Sequence, residues 1–355
     1  MSLFSGPGRV RALLRCLLAI AVFWFVQSLA ARAADGFSGE GLPASLAFLL
    51  RNLFQLFLEL IAFAALGLLL DKQQHPLRAM GLQRQGLSQV RALRQFALGA
   101  ALGWGMVAAL LLPVALAGRL YVHTWTTPRA FILCIVELAT LLVASLANEV
   151  VFRGYPFQRL LQAAGPVASL LLACAFFGLL RKESIVAMPG ASTAAVWVSV
   201  AAALLLSLAY LRTRALWLPW GLHFAWLASM GVLFGLPLAG EIDTATVIQS
   251  NAYGPHWLTG GDYGPESAWI TFWVLLGGVW LLLRITQQID WQVRQPDLRP
   301  AGIAVELTHN PPAPVPSPER TQPAAPSLIQ ISGAAPAAAP QLSPEPHLSP
   351  KEFHS

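Results

Sequence analysis

The chain has 355 residues, 56% of them hydrophobic and only 11% charged, with a mean hydropathy of +0.59. That balance excludes the soluble classes and marks a polytopic membrane protein. The formal net charge of +6 is spread over several loops with no single patch, so it reports membrane topology and contact with lipid headgroups, not nucleic-acid binding.

A helix needs about 20 mostly apolar residues to cross a bilayer, and eight such runs occur, at roughly 11–31, 47–70, 95–117, 130–147, 165–181, 193–211, 215–236 and 268–285. They predict an all-α membrane helix bundle with about eight spans. The first run follows Arg9, Arg11 and Arg15 and precedes AARAAD. Those flanks fit a cleavable secretory signal as well as a retained helix; the charges of the later loops favour retention. The second run carries Glu59 and leads into a basic loop, 71–94, with Lys72, Arg78, Arg84, Arg91 and Arg94. The fourth carries Glu137 and continues into LANEVVFRGYPFQRL, residues 146–160. Arg181 closes the fifth run beside Lys182, where it can snorkel to the headgroups. Arg212 and Arg214 follow the sixth, and the seventh holds His223 in ALWLPWGLHFAWLASMGVLFG.

The loop at 237–267 has no Lys or Arg but carries Glu241, Asp243, Asp262 and Glu266, and the last run ends at Arg284. With eight spans and a cytoplasmic N-terminus, the basic loops face inward and both termini are cytoplasmic, as the positive-inside rule requires. From about residue 288 the composition shifts to Pro, Ala and Ser, too poor in bulky residues to bury a core, which predicts a disordered cytoplasmic tail. The organisation expected is therefore 1–90, two helices and the basic loop; 91–287, an intramembrane domain; and 288–355, the tail. Cys16, Cys134 and Cys174 each lie in an apolar run and are read as small hydrophobes, with no disulfide framework and no C-x-x-C spacing.

Inside lipid an ionisable residue costs a few kcal/mol and needs a partner or a function. Glu149 and Arg153 are spaced i,i+4 with the acid N-terminal, the better order for an ion pair. They are read as a structural pair at the membrane edge or as part of a site. His223 either bonds a backbone carbonyl or serves as an acid, base or metal ligand. Glu59 and Glu137 stand alone on aliphatic helices, lining a polar cavity or hydrogen-bonding between helices.

Together these residues resemble the CPBP family of intramembrane glutamic endopeptidases, which includes the type II CAAX prenyl proteases and bacteriocin-processing proteins. Its first motif, E-E-x-x-x-R followed by F-R-G-Y, is matched by NEVVFRGY, supplying Glu149, Arg153, Gly154 and Tyr155. Its second, F-x-x-x-H, aligns with Phe177 to Arg181, and its third, H-x-x-x-N, with His223 to Leu227. LAYLRTRALWLPWGLHFAW and GPHWLTGGDYGPESAW are similar to the bacterial branch, and the likeness covers about residues 90–285. The resemblance implies a protein of a bacterial inner membrane, in contact with lipid and with a hydrophobic or lipidated peptide or a membrane protein, and an inherited peptide-bond hydrolysis without cofactor.

In the family the first Glu and the His of the second motif activate a water, and the last His and Asn stabilise the oxyanion. Here the first position is Asn148, the second-motif His is Arg181 and the final Asn is Leu227, so of the four only His223 remains. Glu149 is the second Glu, turned about 100° around the helix. An arginine does not serve as general base at physiological pH. Impaired hydrolysis is therefore expected, with His223 and Glu149 as the remaining catalytic candidates. A non-catalytic protein binding a membrane partner or peptide is the alternative, and a transporter component a more distant one, since no duplicated halves are evident. A zinc site is not expected, because one histidine and a carboxylate fall short of the three ligands that zinc hydrolases use.

Overall fold

Apolar runs of this length have one way to satisfy their backbone in lipid, which is to close every N–H and C=O within a helix. A computed structural model describes residues 8–37, 43–72, 75, 77, 80–83, 87–124, 128–187, 192–238 and 246–286. The expected tail, and with it Glu241 and Asp243 of the acidic loop, lies outside the described residues. The helices are α1 (Arg9–Phe37), α2 (Ala44–Asp71), α3 (Gln89–Leu116), α4 (Pro128–Arg153), α5 (Tyr155–Ala187), α6 (Ala194–Thr213), α7 (Trp217–Leu227), the one-turn α8 (His256–Thr259) and α9 (Trp269–Ile285). All eight apolar runs fall on these helices, giving the expected helical bundle.

Among the described residues five segments are long and apolar enough to cross a membrane: Arg9–Ala33, Ala44–Asp71, Gln89–Leu116, Phe131–Lys182 and Ala194–Thr213. The fourth takes in two of the predicted runs, because α4 and α5 follow each other with a break only at Gly154. A further kink falls at Gly165 (φ 81°), just ahead of Pro166, where the missing proline N–H interrupts the helical ladder. The 17-residue α9 is apolar but shorter. α7 is extended by a π-helical turn, Ala228–Leu233.

In the bundle α1 packs against α2 and α5, α2 against α4, α6 against α5 and α9, and α3 against α7 most extensively of all. Exposed apolar side chains such as Leu69, Leu116 and Val167 would be a liability in water; on spanning helices they meet lipid. One polar knot ties three helices together. Asp71 at the end of α2 accepts hydrogen bonds from Arg15 of α1 and, at 3.1 Å, from Arg159 of α5, all three side chains being at most 8% exposed.

The bundle also carries a two-stranded antiparallel ribbon, β1 (Leu120–Thr124) paired with β2 (Ile248–Ala252), with Leu120 opposite Ala252 and Thr124 opposite Ile248. Nothing in the sequence pattern predicts it. Five-residue strands give almost no periodic signal, and their partners are brought together only by the packing of the helices between them.

Candidate functional site

The first motif occupies the last turns of α4. Asn148 is exposed and Glu149 buried, as one residue's rotation on a helix allows. Gly154 ends α4 where the chain turns straight into α5; a Cβ there would stand 2.2 Å from the Val150 carbonyl oxygen, so the FRGY turn needs glycine. The turn leaves Arg153 folded back on its own helix. Its Nη1 donates to Glu149 Oε1 at 3.1 Å, and its guanidinium lies over the Phe177 ring, 5.2 Å from the centroid. The side chains are 2% and 0% exposed.

α7 brings His223 to this pair. Two glycines let α7 lie directly on α3: a Cβ at Gly221 would stand 2.0 Å from the Phe96 carbonyl oxygen, and one at Gly99 would stand 2.1 Å from that of Leu218. Two indoles fix its position, Trp217 donating to the Leu82 carbonyl and Trp220 to that of Leu142 on α4, each at 3.0 Å. His223 Nδ1 is thereby held 2.8 Å from Glu149 Oε1. Oε1 already accepts from Arg153, so with Nδ1 as the donor the imidazole keeps its other nitrogen for the space beyond. Glu149 Oε1 thus serves two partners, while Oε2 has none among the described residues.

That space is a cavity of about 230 Å³ whose lining includes Asn148, Arg181, His223 and Leu227 together with Phe177, Trp226 and Glu266. All four positions aligned with the family's catalytic residues therefore meet at one cavity. Glu149 stands behind it, wholly buried.

Arg181 differs from its expected placement. α5 continues to Ala187, so Arg181 is inside the helix and not at its end, and it turns into the bundle instead of reaching for headgroups. Its Nε donates to Ser199 Oγ at 2.9 Å and its Nη1 to the Tyr263 hydroxyl, with Nη2 3.8 Å from Glu266 Oε2. Tyr263 and Glu266 belong to the short turns before α9. Burial raises the Tyr263 phenol above its ordinary range, with the Arg181 charge pulling the other way. Glu266 Oε1 also accepts from Trp226 Nε1 at 3.4 Å.

Sequence reasoning placed Glu266 only in an acidic loop and passed over Tyr263 and Ser199. The available signal was the excess cation at position 181, which needs a counter-charge somewhere in the bundle. Glu59 is buried on α2 and accepts from Gln55 at 2.8 Å; Glu137 is buried on α4. Neither lines the cavity. Cys16, Cys134 and Cys174 are free and buried. Among the described residues no three His, Cys, Asp or Glu side chains stand together as a metal site would need.

No curated protein and no solved structure matches the chain. The family model described as type II CAAX prenyl endopeptidase Rce1-like matches residues 129–229, a segment that runs from the start of α4 through α7 into its π-helical turn and so contains Asn148, Glu149, Arg153, Arg181, His223 and Leu227. Over that segment the chain is similar to the type II CAAX prenyl endopeptidases of the CPBP family.

Proposed function

We propose that this protein holds hydrophobic or lipidated peptide tails in the family's intramembrane cavity, with the orthodox hydrolytic step impaired. The observation that carries the reading is the lining of that cavity. At position 148 stands an amide, which takes no proton from water; at 181 a guanidinium, which stays charged; and at 227 an alkyl group, which offers no donor to an oxyanion. Of the two carboxylates nearby, Glu266 is held by Arg181 and Trp226, and Glu149 is fully buried and already accepts from Arg153 and His223. A base in that position has neither access to water nor a free lone pair on the oxygen that faces the histidine. The walls contributed by Phe152, Phe177, Leu205, Leu222 and Trp226 suit apolar side chains. A bacterial inner membrane, with both termini cytoplasmic, belongs to the same proposal and is supported by the loop charges set out above.

The test is a quenched fluorescent peptide carrying a lipidated C-terminal cysteine, incubated with the purified protein in detergent. The expected result is binding without cleavage; turnover that disappears in His223→Ala would sink the reading. A second reading, residual hydrolysis, rests on one contact. Glu149 orients His223 through Nδ1, as a carboxylate does in many general-base dyads, and that imidazole lines the cavity. Restoring Asn148→Glu, Arg181→His and Leu227→Asn together is the matching gain test, with cleavage expected to rise from the background.

A further inference from the structure

The cavity is apolar over most of its wall and is lined by two guanidiniums, of which Arg153 is buried against Glu149 and Arg181 is partly exposed. Arg181 is anchored on two sides, by Ser199 and by the Tyr263 hydroxyl. Its remaining nitrogen, Nη2, has a contact of 3.8 Å to Glu266, beyond hydrogen-bond reach. A guanidinium held in this way is pre-oriented, and its side chain, 26% exposed, keeps an N–H edge without a close acceptor. The partner that matches such an edge is a carboxylate, which accepts planar, charge-assisted hydrogen bonds. At about 230 Å³ the cavity is below the usual range for drug-sized ligands. It has room for the end of an apolar chain, and the Arg181–Tyr263–Glu266 contacts bound it on the charged side.

We propose that Arg181 is the docking point for a carboxylate at the end of an apolar chain, the C-terminus of a hydrophobic peptide, and that Glu266 is the counter-ion holding the guanidinium when that ligand is absent. The choice of a peptide over a fatty acid rests on the peptide-binding reading above. The ligand carboxylate takes the position nearest Nη2, and Glu266 is displaced toward Trp226, whose indole already donates to its other oxygen. Binding therefore has to overcome the repulsion of Glu266. The arrangement works as a built-in competitor that sets affinity.

The experiment measures binding of a dansyl-labelled pentapeptide of Leu and Val to the full-length protein in detergent at pH 7, once with a free C-terminus and once amidated, with laurate as a third probe. The free acid is expected to bind about tenfold more tightly than the amide. Arg181→Gln should erase that ratio, and Glu266→Gln should widen it about tenfold by tightening the acid and leaving the amide unchanged. A purely structural Arg181–Glu266 pair would lower the unfolding temperature in both variants without moving the acid-to-amide ratio. Should Arg181→Gln fail to fold, the wild-type ratio and Glu266→Gln decide the matter. Equal binding of acid and amide overturns the proposal and leaves the peptide reading standing. Laurate binding with neither peptide bound supports the carboxylate site and overturns the peptide reading. No binding of any probe overturns both.

Discussion

Replacing Arg153 by methionine isolates what the buried pair contributes. The substitution keeps most of the side chain's volume and its contact with Phe177, but removes the charge that faces Glu149 at 3.1 Å. An i,i+4 ion pair on one helix is worth about 0.2–0.5 kcal/mol. Losing the Arg153–Glu149 hydrogen bond alone would therefore be a small effect. The greater effect comes from Glu149 itself, which is 0% exposed and is left with His223 as its one hydrogen-bond partner among the described residues. Stranding one member of a buried ion pair costs about 3–5 kcal/mol, and that is the expected loss for Arg153→Met. Adding Glu149→Leu removes the stranded charge, so the double variant should recover to within about 2 kcal/mol of wild type, the remainder being the partner lost by His223. The assay is equilibrium unfolding in mixed micelles on the wild type, both single variants and the double variant. Single-variant losses below about 1 kcal/mol, or a double variant as unstable as the sum of the singles, would refute the reasoning.

Gly221→Ala should destabilise by about 1–3 kcal/mol or more, because its Cβ would fall 2.0 Å from the Phe96 carbonyl oxygen; Gly105→Ala, with nothing within 4 Å of the added carbon, should be neutral or slightly stabilising, by up to about 1 kcal/mol. Thermal unfolding of both in one detergent checks the contrast. Asp71→Asn removes the charge shared by Arg15 and Arg159 and should cost about 3 kcal/mol, read as a lower midpoint of thermal unfolding in the same detergent.

The helices were legible because their code is short-range: about twenty apolar residues in a row need no information from elsewhere in the chain. The i,i+4 pairing of Glu149 with Arg153 was legible for the same reason, since helix geometry alone puts the two on one face. What could not be read depends on residues far apart in sequence. The Glu149–His223 contact spans 74 positions and that of Arg181 with Tyr263 spans 82; no local pattern announces either. Arg181 reads as a helix end because the apolar run stops there, whereas α5 continues through the polar KES to Ala187. Alignment with the family motifs placed 148, 181, 223 and 227 in one group, and the cavity brings the same four together.

Burial sets the Glu149–Arg153 pair apart from the cavity-wall positions, His223 among them. Glu149 and Arg153 are sealed in the bundle at 0% and 2% exposure, and altering either alone strands a charge. Asn148 is exposed, Arg181 is 26% exposed at its side chain and Leu227 is half-buried, all three on the cavity wall. Substitution at a wall position changes what the cavity binds and does, with little effect on packing. Wall and scaffold positions are therefore separable in this fold, and a wall side chain can change while the helices hold their places. Arg181 qualifies that freedom. A guanidinium facing apolar walls is tolerated only where something receives it, and Ser199, Tyr263 and Glu266 do so from two other parts of the chain. Three receiving groups around one substituted position mark Arg181 as built in, with Glu266 as the counter-charge that makes it tolerable in the membrane.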